Sequence, residues 1–181
     1  MGITNIEETT MGQKTAMLVT YVTKKGTKKN KVYHCQWGIG KIQPMAIMTG
    51  FFDFLLKREY DSEKKDVTLS SVGVTHDETK YMRETIPDFD KLNFAKIKDV
   101  QKVYSQLDND NGGMVFIVDD KNDKIKIGYL LGREEVGDEN AFKEFVSMYD
   151  WQEKVGGEYT DAWFMIMLHG FIQHFKIDIL K

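Results

Sequence analysis

The first long apolar run, Thr15–Thr23 (TAMLVTYVT), is rich in β-branched and aromatic residues and reads as a strand. A second such run, Val32–Trp37 (VYHCQW), follows it, so the two form a β-hairpin with residues 24–31 at its tip. Alternation puts Tyr33, Cys35 and Trp37 on one face of the second strand and Val32, His34 and Gln36 on the other, and the aromatic face is the expected core face. Pro44 suits the first position of a helix, and Met45–Arg58 continues it with a polar stripe at Thr49, Asp53 and Lys57. The run VTLSSVGV changes the parity of its apolar positions near Ser70 and Ser71, as a bulged strand does. Residues 76–93 carry no period that assigns them.

Phe94, Ile97, Val100, Tyr104 and Leu107 recur at helical spacing and predict a helix over Phe94–Leu107. Met114–Val118 and Lys124–Leu131 flank the turn DDKND, and Ile125, Ile127, Tyr129 and Leu131 alternate with Lys124 and Lys126. That pattern predicts a second hairpin with one solvated face. A helix is expected over 139–154, stopped by Gly156 and Gly157, and a last one from a Thr160 cap through the apolar segment AWFMIML. A segment apolar all round belongs in a core, or in a homodimer interface as the second reading.

The order of elements predicts an α+β fold: a mainly antiparallel sheet of about five strands built from two hairpins, helices packed on one face, and two C-terminal helices. Residues 1–13 read as a flexible N-terminal tail, and 14–181 as a single domain.

Composition narrows the class. Twenty-two aromatic residues and a 41% hydrophobic fraction argue for a packed core. A single cysteine allows no internal disulfide, and no apolar stretch is long enough to span a bilayer. The opening segment is polar and acidic where a secretory signal would be basic and then apolar, which predicts a cytoplasmic protein without membrane contact.

Charge then singles out the first hairpin. The chain is mildly acidic, with a net charge of −3, yet Lys24, Lys25, Lys28, Lys29 and Lys31 fall within eight residues that contain no acid. A basic protrusion on an acidic body attracts an anionic partner, and an acidic protein surface is the partner this pattern predicts. The plain alternative is a solvated hairpin tip. Read as an exposed tip, the loop predicts that Lys28→Glu with Lys29→Glu changes stability by less than about 0.5 kcal/mol. Only Arg58, Arg83 and Arg133 are arginines, against 22 lysines, so the planar fork that reads guanine edges is scarce. Non-specific nucleic-acid binding through the same lysines is the runner-up.

Other candidates are weaker. Gly38, Gly40 and Lys41 stand between a strand and a helix, where a loop can bind an anion. The Walker and dinucleotide fingerprints nevertheless both fail, because Cys35, Ile42 and Gln43 occupy required positions. Cys35 is the single thiol, and adjacent strand residues point to opposite faces, so His34 cannot be its base. His169 and His174 lie five apart on a helix and face different directions. The run Asp108–Gly113 with Asp119 has part of a calcium-loop pattern, but Gly112 replaces an oxygen ligand and the closing position is not glutamate. With no catalytic template met, the reading leans away from an enzyme and calls for no cofactor and no metal. A small-ligand pocket between sheet and helices, containing Cys35 or His169, is the third alternative.

Overall fold

A computed structural model describes residues 15–35, 75–107, 111–151, 153–154 and 169–181. The expected tail, the Met45–Arg58 helix, the bulged strand 67–74 and the apolar segment 162–168 lie outside the described residues.

Six strands are present among the described residues: β1 (Thr15–Val22), β2 (Lys28–Cys35), β3 (Thr75–Asp77), β4 (Gly113–Asp119), β5 (Lys124–Leu130) and β6 (Ile177–Ile179). They form one sheet in the order β3-β2-β1-β4-β5-β6. The protein is α+β, but the sheet is mixed and six-stranded where a mainly antiparallel sheet of about five was expected. β1 pairs antiparallel with β2 and β4 with β5, whereas β1 pairs parallel with β4 and β5 parallel with β6. Strand identity is a local property, but which hairpin edge meets which is set by the long crossover between β2 and β4, and nothing local encodes it.

Helices were expected on one face, and they cover both. On one side α1 (Thr79–Thr85), a 3-10 turn (Phe89–Lys91) and α2 (Ile97–Tyr104) bury Met82, Phe89, Val100, Val103 and Tyr104 against Leu18, Val32, Val115 and Leu130. On the other, α4 (Met148–Trp151) and the helical residues 169–174 bring Trp151, Phe171 and Ile172 onto Met17, Phe116, Ile127 and Tyr129. A short helix α3 (Arg133–Val136) follows β5. Burial on both faces explains why β1 is apolar almost throughout rather than alternating. It also corrects the solvated face expected of the second hairpin: Gly128 and Leu130 are buried, and only the end near the turn is wet.

Two local expectations change as well. Residues 139–147 are turns and extended chain instead of helix, with Phe142 at φ 56° and Val146 bridging to Tyr129. Phe142 turns inward to stack on Tyr104, ring centroids 4.1 Å apart, and tertiary packing overrides local helix preference there. The chain also ends in a strand rather than in a helix: Phe175, Ile177 and the half-buried Ile179 alternate with exposed Lys176 and Asp178.

Candidate functional site

The β1–β2 connection is a tight loop closed by Thr23 N–H donating to Thr27 O (2.9 Å) and Gly26 N–H donating to Thr23 O (2.7 Å). Gly26 sits at φ 84°, a conformation that costs L-residues energy and that this hairpin class assigns to glycine. Lys24 and Lys25 are exposed on that loop. Because β1 and β4 run parallel, the β4–β5 turn lies beside it: Asp120 N–H donates to Val22 O (2.9 Å), and Tyr21 Oη donates to Asp120 Oδ2 (2.6 Å). Lys121 reaches back over the tip, 3.4 Å from where a side chain at position 26 would begin. The basic tip therefore gains a lysine and also acquires acidic neighbours in Asp119, in register with Val22, and Asp120. A run that is purely basic along the chain is mixed in space.

Lys28 differs from the tip lysines. Its ammonium donates to Leu92 O and, at 3.4 Å, to Lys91 O, carbonyls at the C-terminal end of the 3-10 turn. Burial pushes its pKa below the ordinary lysine value, opposed by the charges of Asp99 and Asp90. Asn30, with no exposed surface, completes the attachment. Its Oδ1 accepts from Thr20 Oγ1 (2.8 Å), and its Nδ2 donates to Phe89 O (3.0 Å) and Leu92 O (2.9 Å). The root of the lysine loop is thus stitched to 89–92, and Lys28 is a half-buried anchor where an exposed tip residue was expected.

Lys29 and Lys31 meet residues that their own strand does not supply. Among the described residues β3 pairs with Tyr33–Cys35, and below it α1 takes over the edge: Glu78 N–H donates to Val32 O (2.9 Å) and Val32 N–H to Thr79 Oγ1 (3.1 Å). Asp77 Oδ1 accepts from Thr79 N–H (2.9 Å) and shapes that entry. The result is a hollow of about 500 Å³ lined by Lys29, Lys31, Asp77, Thr79, Lys80 and Arg83. Arg83 forms a forked contact to Asp90 (3.0–3.3 Å), which raises its pKa further, and Lys80 lies 4.0 Å from Glu84. Four cations against the single carboxylate of Asp77 leave the hollow net positive, which favours an anionic occupant. Lys80 and Arg83 escaped the sequence reading because they fall in the stretch that had no discernible period.

Gly38, Gly40 and Lys41 lie outside the described residues, as do residues 108–110 and the Cys35 side chain. His34 Nδ1 is 4.0 Å from Glu78 Oε1. His169 and His174 are exposed, and His174 packs edge-on to Phe175. Asp119, which would close the calcium-like run, instead accepts from Asn122.

The opposite end of the sheet carries two unusual environments. Glu135 Oε2 accepts from Gly132 N–H (2.6 Å), and burial lifts the carboxyl pKa to about 6 despite backbone donors that pull it down. Among the described residues, Tyr129 Oη and Trp151 Nε1 are buried without a hydrogen-bond partner, their rings 5.4 Å apart. Each such group costs about 1–3 kcal/mol.

No protein-family model, no curated protein and no solved structure matches this chain. No helix among the described residues is long and apolar enough to cross a membrane.

Proposed function

We propose that this is a cytoplasmic, non-enzymatic binding or regulatory protein that presents its lysine-rich hairpin to an acidic surface on another protein. The observation that carries the reading is the convergence of Lys29, Lys31, Lys80 and Arg83 on one hollow. The exposed tip, with Lys24, Lys25 and the neighbouring Lys121, extends the basic character along the same hairpin. Of the five lysines in the run, four belong to the binding face, and Lys28 holds the hairpin in shape. Association through such a surface is steered by charge and weakens with salt.

The test is affinity capture from the native host's lysate with wild type, with Lys24→Glu/Lys25→Glu and with Lys80→Glu, each with and without nuclease. Retention of an acidic protein by wild type, insensitive to nuclease and reduced in both variants, is the expected result. Retention that disappears with nuclease would replace this reading with non-specific nucleic-acid binding.

A further inference from the structure

The hollow beside the lysine hairpin has a donor in its own wall that no described residue answers. Thr79 lines the hollow and is only 5% exposed. Its Oγ1 accepts from Val32 N–H at 3.1 Å, and among the described residues nothing accepts the hydroxyl's own hydrogen. A hydroxyl donates as well as accepts, so an oxygen of a ligand in the hollow would complete it.

Arg83, on the same helix, is also only partly used. Its Nε and Nη2 donate to Asp90 at 3.0–3.3 Å, which fixes the guanidinium plane, while Nη1 has no partner among the described residues. Lys80 precedes it by three residues, its ammonium 4.0 Å from Glu84. Lys29 and Lys31 add two more cations from β2. Asp77 is the one carboxylate among the lining residues, and its Oδ1 accepts from Thr79 N–H at 2.9 Å.

We propose that this hollow receives a phosphoserine or phosphothreonine side chain of the acidic partner, an inference that rests on the protein-binding reading of the same face. A phosphomonoester brings about two negative charges and three acceptor oxygens. A carboxylate brings one charge and two oxygens. The larger set suits a hollow whose lining residues supply the Thr79 hydroxyl, the Arg83 guanidinium and three ammonium groups against a single carboxylate. The phosphates of a nucleic-acid backbone are diesters with one charge each and match it less well. A volume of about 500 Å³ leaves room for the residues that flank the phosphorylated one, and acidic flanks meet the lysines of the hairpin.

The experiment measures by calorimetry, on the full chain, the affinity of three peptides with phosphoserine, glutamate or serine between two pairs of glutamates, beside a short oligothymidylate. The phosphoserine peptide is expected to bind about tenfold more tightly than the glutamate peptide. Lys24→Gln/Lys25→Gln should weaken both alike and keep that ratio, because the tip supplies charge alone. Arg83→Gln changes an exposed side chain, so its thermal midpoint should stay near wild type while the ratio falls close to one. Asp77→Asn keeps an acceptor for Thr79 N–H and should raise the ratio about threefold, because a dianion feels the lost carboxylate twice as strongly as a monoanion. Equal affinity for the phosphoserine and glutamate peptides would overturn the phosphoryl inference and leave the acidic-surface reading standing. An unchanged ratio in Arg83→Gln would also overturn it, and tighter binding of the oligothymidylate than of either acidic peptide would overturn both readings.

Discussion

The tip and the root of the lysine hairpin are built from the same residue type within one short run, yet they do different work. At the tip, Lys24 and Lys25 stand in solvent on a loop held by its own backbone bonds. At the root, Lys28 and Asn30 reach across to carbonyls about sixty residues away and fix the 3-10 turn to the sheet. Charge in solvent is free to meet a partner, whereas charge held by backbone carbonyls is part of the fold. A similar contrast separates two buried tyrosines. Tyr104 donates to Ala16 O at 3.1 Å and stacks on Phe142, while Tyr129, on the other face, has a hydroxyl with no partner among the described residues. Burial raises both phenol pKa values, but only one face of the sheet has answered its phenol with an acceptor.

The contrast between tip and root can be broken most severely at Asn30. Asn30→Ala leaves Thr20 Oγ1 and the carbonyls of Phe89 and Leu92 without this partner, and should cost about 3 kcal/mol in urea unfolding. A cost near zero would mean that the root is not the anchor described. Lys28→Glu comes next, at about 2 kcal/mol, because it removes an ammonium and sets a carboxylate against the same carbonyls.

Glu135 extends the comparison to a carboxylate held against backbone N–H groups. Its pKa is raised from 4.5 to about 6 in the folded protein, so the native state holds the proton more tightly than the unfolded chain. That contribution to stability is complete below pH 4.5 and is lost as pH rises through 6. Allowing for partial solvent screening, Glu135→Gln should flatten the stability profile across this window by about 1 kcal/mol. Denaturant midpoints at a series of pH values would check it, and a profile identical to wild type would count against a raised pKa. The smallest effect belongs to the tip: Lys24→Glu/Lys25→Glu should move stability by less than about 0.5 kcal/mol in a thermal melt. The same variant should lose partner capture, so a stability loss as large as that of Lys28→Glu would erase the distinction between tip and root.

Much of the local architecture was legible along the chain. β1, β4 and β5 announced themselves by apolar, β-branched composition, and α2 by the 3.6-residue recurrence of Ile97, Val100 and Tyr104. The β6 pattern, Phe175, Ile177 and Ile179 alternating with polar residues, was also present and was missed because it directly follows helical residues. Residues 139–147 misled because their composition permits a helix, and only the place that Phe142 takes beside Tyr104 forbids one. For the candidate site, the sequence showed Lys29 and Lys31 but could not show that Lys80 and Arg83 would join them.

Local patterns of burial and turn chemistry were enough to establish the α+β class, the strands β1, β4 and β5 and a basic loop on an acidic chain, because each depends on neighbours a few residues apart. The mixed order of the sheet, the cover on both its faces, the anchoring of Lys28 and the pairing of Tyr129 with Trp151 depend on contacts between distant segments. Those contacts are selected by the packing of the whole core, and no short window of the chain contains both partners.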